Sequence, residues 1–579
     1  MTNREIADIL KQIGDMLDIL GENRFKVIAY RRAADNILNL GRDIREYWFA
    51  GTLEEIPGIG AAIAEKIDEL LTTGKLGFYE RLQDEVPAGV VSLLQIPDVG
   101  PKTAKLLWEG LGLQSVAEVE EAARRGRLQS LPGLGARSEA KILTGIEALH
   151  RRSERISLGT AWPAAHNLLQ GLQDTCDQVM NAAVAGSLRR MQSTIGDIDL
   201  LVASEAPAAV MRAFAALSRV SEVMLSGPTK TSVRLHNGLQ VDLRVLEPRH
   251  WGAALQYFTG SQAHNVRLRE LAQKQGLSLS EYGFKRADGS EIACPDEAEV
   301  YQILGLPWIP PELREDRGEI QAALAGELPH LVEAPDIRGD LHAHTNWSDG
   351  AATLAEMAEA ARELGYQYLV ISDHTQSLAV AQGLTPERLA QQRAEIDALN
   401  ATWDDFTLLQ GCELEIKADG SLDFDDEVLA GLDFVVASVH TSLRQDPEQI
   451  TERVLKALAD PYVDVIGHPS GRLLGQRDES AVDLEAIIQA AAKTGTALEV
   501  NSIPARLDLD DVHVRRATDL GVQIAINSDA HHTGGLDNLS YGLATARRGW
   551  AKPSNVLNTF SLDELRTWRQ ARTARQLNV

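Results

Sequence analysis

The chain has 579 residues, of which 44% are hydrophobic and 24% are charged, so it is too long for one hydrophobic core and typical of a multidomain protein. No stretch resembles a membrane span or a signal-peptide core, and three scattered cysteines exclude a disulfide framework. The net charge is −26, but residues 317–579 carry 41 acidic against 22 basic side chains, so nucleic acid is not excluded as a partner of the first half.

Residues 1–150 are predicted to be helical, and one pattern recurs in them: IPGIGAAIAEKI (56–67), IPDVGPKTAKLL (96–107) and LPGLGARSEAKIL (131–143). Each copy has a tight glycine turn before an amphipathic helix, whose N-terminus suits a backbone phosphate. A single copy could be a plain helical hairpin, but three copies favour DNA binding. The segments resemble the helix-hairpin-helix motif of DNA repair proteins. The predicted contacts are Gly58, Gly60, Val99, Gly100, Gly133 and Gly135.

Residues 160–250 mix predicted strands and helices, and three carboxylates lie in two of the strands. Asp197 and Asp199 are two residues apart in GDIDLLVA, which places them on one face about 7 Å apart along the strand. Asp242 lies in the strand segment LQVDLRVL. Three carboxylates on neighbouring strands suit Mg²⁺ or Mn²⁺. An isolated D-x-D is more often a solvated strand edge, but the Gly-Ser upstream at residues 186–187 reverses that preference.

The segments GSLRR, GDIDLL, VDLR and YFTGS (257–261) resemble DNA polymerase family X, the polymerase beta group, over residues 1 to about 316. The resemblance implies that Asp197, Asp199 and Asp242 are catalytic metal ligands. It implies that the incoming nucleotide and the nascent pair are contacted by Gly186, Ser187, Arg190, Tyr257, Phe258, Gly260, Asn265 and Arg269.

The segment FKVIAYRRAADNI with the first hairpin resembles the small lyase domain of that family, in which a lysine forms a Schiff base with an abasic sugar. Lys66 matches that lysine, and Lys26 and Tyr30 match positions near the 5′-phosphate. Ala62 and Phe78 stand where polymerase beta has lysines. Lys66 is equally well explained as a solvent-facing helix lysine beside acidic neighbours.

From Asp340 onward, short apolar strands alternate with helices, which predicts a parallel sheet closed into a β/α barrel. Histidines and carboxylates follow most of the strands, where barrel enzymes carry their catalytic residues. One such histidine would most often be a core residue, but nine residues at successive strand ends indicate a metal site for Mn²⁺, Zn²⁺ or Fe²⁺. They are His342, His344, Asp349, His374, Glu413, His440, His468, Asp529 and His531.

These nine positions resemble the PHP (polymerase and histidinol phosphatase) family over residues 337–579. The resemblance implies a distorted barrel of about seven strands and a centre of about three Mn²⁺ or Zn²⁺ ions. A PHP domain after a family X polymerase is the arrangement of the bacterial enzymes of that family, in which it acts as a Mn²⁺-dependent 3′→5′ exonuclease.

The predicted fold class is therefore multidomain, α+β and α/β. The predicted domains are a lyase-like helical domain (1–80), a helix-hairpin-helix fingers domain (81–155), a nucleotidyltransferase palm (156–250), a thumb (251–316), a linker (317–336) and the PHP barrel (337–579). We expect a gap-filling repair polymerase with a 3′-end-processing site. An alternative is a phosphoesterase, such as an abasic-site endonuclease, whose polymerase half only binds DNA. Primed or gapped DNA and dNTPs are the expected partners of a monomeric, cytoplasmic, nucleoid-associated bacterial enzyme.

Overall fold

The computed structural model describes residues 1, 3–38, 44–56, 58–96, 99–153, 155–236 and 238–577. Pro57, Pro97 and Asp98 of the predicted hairpins lie outside the described residues. The chain forms two compact units, Met1–Glu154 and Arg155–Val579.

The first unit is helical, as the sequence predicts. Apolar side chains at helical spacing, such as Ile6, Leu10, Ile13 and Leu17 on the first helix, form its buried core. The helices are α1 (Asn3–Leu20), α2 (Arg24–Leu38), α3 (Ile44–Ala50), α4 (Ala61–Thr73), α5 (Gly77–Glu85), α6 (Ala88–Ser92), α7 (Pro101–Leu111), α8 (Val116–Arg124) and α9 (Ala136–Ser153).

The second unit begins with a mixed region built around a five-stranded sheet. The strands are β1 (Ile156–Ser157), β2 (Asn181–Val184), β3 (Thr194–Ile195), β4 (Ile198–Ala203), β5 (Val220–Ser226), β6 (Lys230–Leu235), β7 (Gln240–Leu246), β8 (Leu277–Ser280), β9 (Gly283–Arg286) and β10 (Glu291–Ile292). The order of strands in the five-stranded sheet is β2-β4-β7-β6-β5, and β4 and β7 are parallel at its centre. The helices are α10 (Leu158–Thr175), α11 (Gly186–Arg189), α12 (Pro207–Ala215), α13 (Trp251–Thr259), α14 (Gln262–Lys274), α15 (Glu297–Ile303) and α16 (Glu319–Ala325).

The segment predicted as a linker, residues 317–336, is partly folded. It contains α16, whose Ile320 belongs to the same hydrophobic core as Leu268 of α14 and Tyr301 of α15. The buried Glu319 lies 2.7 Å from Nδ1 of the buried His264. The first half of this segment therefore packs as part of the preceding fold.

The remainder of the second unit is a nearly closed barrel of seven parallel strands in sequential order, which confirms the predicted class. The first and last strands approach each other, since Asp529 N–H donates to His342 O at 3.0 Å. The strands are β11 (Gly339–Ala343), β12 (Tyr368–Ile371), β13 (Thr407–Glu415), β14 (Phe434–Ser438), β15 (Val465–Ile466), β16 (Ala497–Asn501) and β17 (Ile524–Asn527). The helices are α17 (Leu354–Glu363), α18 (Pro386–Asn400), α19 (Asp426–Ala430), α20 (Pro447–Leu458), α21 (Leu484–Thr494), α22 (Asp511–Asp519), α23 (Leu539–Arg548) and α24 (Leu562–Leu577).

Cys176, Cys294 and Cys412 are buried and free. Within the described ranges, no helix combines the length and the apolar character needed to cross a bilayer.

Candidate active sites

The three carboxylates predicted from the sequence come together at one end of the five-stranded sheet. Asp199 on β4 and Asp242 on β7 are register partners on neighbouring parallel strands, and Asp197 immediately precedes β4. One oxygen from each of the three side chains lies within 4.8 Å of the other two. Asp242 is buried, Asp199 is half-buried and Asp197 is exposed, so the group opens to solvent on one side.

The electrostatics of this group favour a cation. Burial, together with the charges of Asp197 and Asp242, raises the pKa of Asp199 to about 6. Burial would also raise the pKa of Asp242, but hydrogen bonds from Lys230 and Ser232 more than offset it and lower that pKa. The Lys230 ammonium lies 2.6 Å from Oδ2 of Asp242 and supplies positive charge at the edge of the group.

Gly186 allows the backbone to pass directly beside Asp199. Its φ is +61°, and a Cβ added to it would lie 2.3 Å from Oδ2 of Asp199. Ala185 N–H donates to Asp199 O at 2.8 Å, which holds the start of α11 against β4. The sequence predicts Gly186 as a contact of the incoming nucleotide, and the group that its backbone approaches in this structure is one of the three clustered carboxylates.

The two arginines after Gly186 are both engaged by carboxylates of the thumb region. Arg189 donates to Glu297 at 2.7 and 2.9 Å, and the buried Arg314 donates to the same carboxylate at 2.7 Å. Arg190, the predicted triphosphate contact, donates from Nε to Glu315 at 3.0 Å and from Nη1 to Thr259 O. Its guanidinium is thus held by protein groups in this structure.

The predicted nucleotide contacts of the thumb lie along α13 and α14. Phe258 packs against Tyr257 and against the Arg244 guanidinium, which lies 4.6 Å from the Phe258 ring centre. Asn265 donates to Tyr257 O at 2.7 Å and so ties the end of α13 to α14. Gly260 has a φ of +66°, and a Cβ there would lie 3.2 Å from Nη1 of Arg190. Ser187 and Arg269 are half-buried.

The nine residues predicted in the barrel gather at the carboxyl ends of its strands. Three groups of possible ligands are present. The first is His344, Asp349, His374 and His531, the second is His342, His344 and Asp529, and the third is His374, Glu413 and His440. The first group shares His344 with the second and His374 with the third. His468 joins the third group, since its Nε2 lies 2.9 Å from Oε1 of Glu413. Because the groups share members, several ions could be held side by side.

The donor set fits bound cations. Nδ1 of His344 is buried and lacks a hydrogen-bond partner among the described residues, which is costly unless another ligand occupies it. Nδ1 of His374 faces a carboxylate instead, since it lies 3.0 Å from Oε2 of Glu413. His468 and Asp529 adopt positive φ values of 29° and 51°, which are uncommon for non-glycine residues and are enriched at functional sites. Mixed imidazole and carboxylate ligands suit Mn²⁺, Zn²⁺ or Fe²⁺.

The imidazoles differ in the direction of their pKa shifts. Burial and the neighbouring His531 and His374 lower the pKa of His344 to about 4. Burial would also lower the pKa of His342, but the carboxylates of Glu499, Glu413 and Asp529 more than offset it and raise that pKa well above its usual range. Negative charge therefore prevails around His342, where a cation would be stabilised.

Buried carboxylates that the sequence analysis did not single out orient these ligands. Glu499 on β16 lies 2.7 Å from Nδ1 of His342 and accepts from His468 N–H at 2.7 Å. Glu415 on β13 lies 2.7 Å from Nδ1 of His440. Such contacts fix the tautomer and leave Nε2 for a metal. A charged residue inside an apolar strand, as in TALEVN, is the feature of the sequence that indicates them.

Asp373 plays a similar part for the loop that carries Asp349. It is fully buried and accepts from Thr345 N–H at 2.8 Å, from the Thr345 hydroxyl at 2.7 Å and from the Ser348 hydroxyl at 2.5 Å. Gln392 of α18 donates to it at 2.6 Å. Asp349 therefore extends from a loop whose backbone is held in place.

The same type of hydrogen bond closes each of the three repeated turns of the first unit. The N–H of Ile59, Val99 and Leu134 donates to the carbonyl three residues earlier at 3.0, 3.0 and 3.1 Å. Gly60 and Gly100 cap the helices that follow, and a Cβ at Gly60, Gly100, Gly133 or Gly135 would meet nothing within 4 Å. Gly58 and Gly133 have φ values near +80°. Val99 is buried, so its side chain has a packing role.

The residues of the predicted lyase site gather around one aromatic ring. The ammonium groups of Lys66 and Lys26 lie 5.2 and 5.7 Å from the centre of the Phe78 ring. Tyr30 stacks on Phe78 at 6.2 Å. Lys66 also donates to Ala62 O at 2.9 Å.

Family models match four parts of the chain. They describe a helix-hairpin-helix domain (residues 1–76), a SAM-like helix-hairpin-helix tandem (90–148), a DNA polymerase beta thumb (254–315) and a PHP domain (340–503).

Known proteins resemble either the whole chain or one of its two halves. A DNA polymerase/3′-5′ exonuclease PolX of Bacillus subtilis is 40% identical over 98% of this chain and 99% of its own length. A probable phosphatase of Thermoanaerobacter sp. is 28% identical over 38% of this chain and 89% of its own length. DNA polymerase lambda of Rattus norvegicus is 24% identical over 54% of this chain and 56% of its own length. The identity to PolX spans both candidate sites, and the chain therefore belongs to the PolX family of DNA polymerase/3′-5′ exonucleases.

Proposed function

We propose that this chain adds deoxynucleotides to a DNA primer at Asp197, Asp199 and Asp242, and removes nucleotides from DNA 3′ ends at the nine-residue cluster of the barrel. The observation that carries the proposal is the presence of both sets of ligating side chains in a chain that aligns over 98% of its length with a PolX enzyme. Short gaps left by base excision repair are the proposed substrates.

In the polymerase site, the side chains of this chain bind and orient the nucleotide. The backbone at Gly186, the Ser187 hydroxyl and the Arg190 guanidinium contact the triphosphate, which Arg190 suits because its charge does not titrate. Tyr257, Phe258 and Gly260 pack against the sugar. Asn265 and Arg269 contact the nascent pair and the template strand.

In the barrel site, the exposed members define the side of approach. Asp349 and His531 have side chains that are 33% and 36% exposed, whereas His342, His344 and Glu413 are buried. A DNA 3′ end would therefore reach the cluster past Asp349 and His531. Glu499 and Glu415 hold His342 and His440 in position while the phosphodiester is cleaved.

Both sites would hold divalent cations. When bound, Mg²⁺ or Mn²⁺ at the three carboxylates and about three Mn²⁺ or Zn²⁺ ions in the cluster supply Lewis acidity and positive charge to the reacting phosphate. The barrel region is strongly acidic and therefore repels DNA phosphates. Most of the affinity for DNA comes instead from the first half of the chain, through the turns at Gly60, Gly100 and Gly135.

A 5′-labelled primer in a gapped duplex tests the proposal. With Mn²⁺ and dNTPs the labelled strand should lengthen, and with Mn²⁺ alone it should shorten one nucleotide at a time. A second duplex with an internal abasic site tests the alternative. Internal cleavage of that duplex, without extension or shortening of the first, would favour an abasic-site endonuclease and contradict the proposal.

The grouping of Lys66, Lys26 and Tyr30 around Phe78 favours a further candidate activity, abasic-site lyase. In that reaction the Lys66 amine would attack the sugar aldehyde, and water would leave as the Schiff base forms. Borohydride should then trap wild-type protein on abasic DNA, and Lys66→Arg should abolish trapping while Lys75→Arg does not. Equal trapping of all three proteins would contradict the role of Lys66.

A further inference from the structure

A carboxylate of the thumb region, Glu315, is only 13% exposed and lies between the predicted triphosphate arginine and the barrel. Glu315 Oε1 accepts from Arg190 Nε at 3.0 Å, from Gln192 Nε2 at 2.6 Å and from Arg548 Nη1 at 3.1 Å. Arg548 ends α23 of the barrel, and its side chain is 3% exposed. The same Nη1 donates to Arg190 O at 2.6 Å. A barrel residue thus contacts both the backbone of Arg190 and the carboxylate that holds its side chain.

This arrangement bears on how Arg190 becomes available to a nucleotide. A guanidinium held by a largely buried carboxylate reaches a triphosphate readily only if the carboxylate keeps another partner, because an uncompensated charge that is mostly removed from water is costly. Arg548 and Gln192 provide those partners. Burial would raise the pKa of Glu315, but the charges of Arg190 and Arg548 more than offset it and lower that pKa, so the carboxylate stays ionised and needs a cation.

We infer that Arg548 is a positioning residue for nucleotide incorporation: it neutralises Glu315 and thereby frees the Arg190 guanidinium for the triphosphate. The inference rests on the proposed role of Arg190. It gives the barrel a part in DNA synthesis that is separate from its own metal cluster, because Arg548 contacts neither the nine ligands nor the three carboxylates in the hydrogen bonds of the described residues.

Arg548 is anchored from its other side. Its Nη2 donates to Asp511 at 2.7 Å, and Asp511 also accepts from Arg317 at 2.8 Å. The adjacent Arg547 bridges the same two regions by donating to Glu312 at 2.8 Å and to Val332 O at 2.9 Å, and among the described residues its side chain makes no hydrogen bond to Arg190 or Glu315. Arg547 is therefore a matched control, since its loss removes a bridge of similar kind and leaves the Arg190 environment intact.

The test is steady-state incorporation of one dNTP by the full-length protein on a gapped duplex. Arg548→Gln should raise the KM for the dNTP about tenfold and change kcat by less than about twofold, because ground-state binding of the triphosphate is what weakens. Arg547→Gln should leave both constants within about twofold of wild type. Glu315→Gln added to Arg548→Gln should restore the KM, because the competing carboxylate charge is then gone.

Shortening of the labelled strand without dNTPs is measured on the same preparations and should not change. If wild-type protein incorporates no dNTP, the proposed function itself fails. If it does incorporate and Arg548→Gln behaves like Arg547→Gln, or Glu315→Gln fails to restore the KM, the inference is overturned. Should Arg548→Gln not fold, Glu315→Gln alone decides: an unchanged or lower KM supports the inference, and a raised KM overturns it.

Discussion

The Cα of Gly186 lies so close to Asp199 that a Cβ at position 186 would meet Oδ2 of Asp199 at 2.3 Å. The φ of +61° at Gly186 adds strain for any larger residue. The glycine of the sequence G-S is thus a steric requirement of the carboxylate group, in addition to its proposed contact with the triphosphate.

Gly186→Ala should therefore displace Asp199 and lower the rate of nucleotide incorporation by about 100-fold, since a shift of about 1 Å at a reacting centre has that effect. Shortening of DNA at the barrel site should not change. Gly171→Ala is the control, because a Cβ there makes only an ordinary contact of 3.6 Å with Leu217. Equal rates of nucleotide incorporation by the two variants would contradict the close approach of Gly186 to Asp199.

Glu499→Gln should weaken metal binding in the barrel. The carboxylate faces donors from His342, His468 and Asn527, and an amide would place its own N–H₂ group against one of them. We expect the Mn²⁺ concentration for half-maximal exonuclease activity to rise about 10- to 100-fold.

The control is Glu485→Gln on α21, an exposed glutamate paired with Arg516. Metal content measured by elemental analysis should fall only in the Glu499 variant, and incorporation of dNTPs should persist in both. A Glu499 variant with wild-type metal content and activity would show that this carboxylate does not orient His342.

Glu297→Gln should destabilise the second unit by about 3 kcal/mol, because it leaves the buried Arg314 and the half-buried Arg189 without their shared counterion. Burial would raise the pKa of Glu297, but the charges of Arg314 and Arg189 more than offset it and hold that pKa well below its usual range. A carboxylate with a depressed folded pKa stabilises the fold above its unfolded pKa and loses that contribution on acidification.

The difference in melting temperature between wild type and Glu297→Gln should consequently be largest near neutral pH and shrink as the pH falls below about 4.3, the ordinary pKa of glutamate. Thermal unfolding monitored by circular dichroism at several pH values measures it. A difference that does not depend on pH would mean that the packing of Glu297, and not its charge, accounts for the stabilisation.

The second hairpin offers a test of phosphate binding in the first unit. Gly100 caps α7 with a φ of −87°, and a Cβ there would meet nothing within 4 Å, so Gly100→Glu should fold normally. A carboxylate at this turn would repel a DNA phosphate, and we expect the Kd for gapped DNA to rise about tenfold at moderate salt. Fluorescence anisotropy measures the Kd.

The same charge placed elsewhere provides the comparison. Thr72→Glu adds a carboxylate to the exposed C-terminal end of α4, at the opposite end of that helix from Gly60. It should change the Kd by less than about twofold. If both variants weaken DNA binding equally, the turn at Gly100 has no special role.

Local patterns in the sequence predicted the elements and most of the clustered groups. Strands that are apolar on both faces predicted the parallel barrel, and ligands placed just after them meet because the carboxyl ends of parallel strands share one edge. Asp197, Asp199 and Asp242 follow from alternation along two strands that pair in register.

Contacts between distant segments could not be predicted in this way. More than a hundred residues separate Arg190 from Glu315, and Glu315 from Arg548. Nothing in the local sequence around these three residues distinguishes them from surface residues. The partner of Glu499 could not be predicted for a different reason, because a carboxylate within a strand does not show which histidine it will face. The partial folding of residues 317–336 involves such contacts too, since Glu319 pairs with the buried His264 and Ile320 joins the core formed with Leu268 and Tyr301.

The central claim is that one chain carries two separate active sites, and the most direct measurement follows a 5′-labelled primer in a gapped duplex with Mn²⁺, with and without dNTPs. Asp242→Ala should abolish lengthening and retain shortening, and His344→Ala should retain lengthening and abolish shortening. Loss of both reactions in either folded variant would contradict two independent sites.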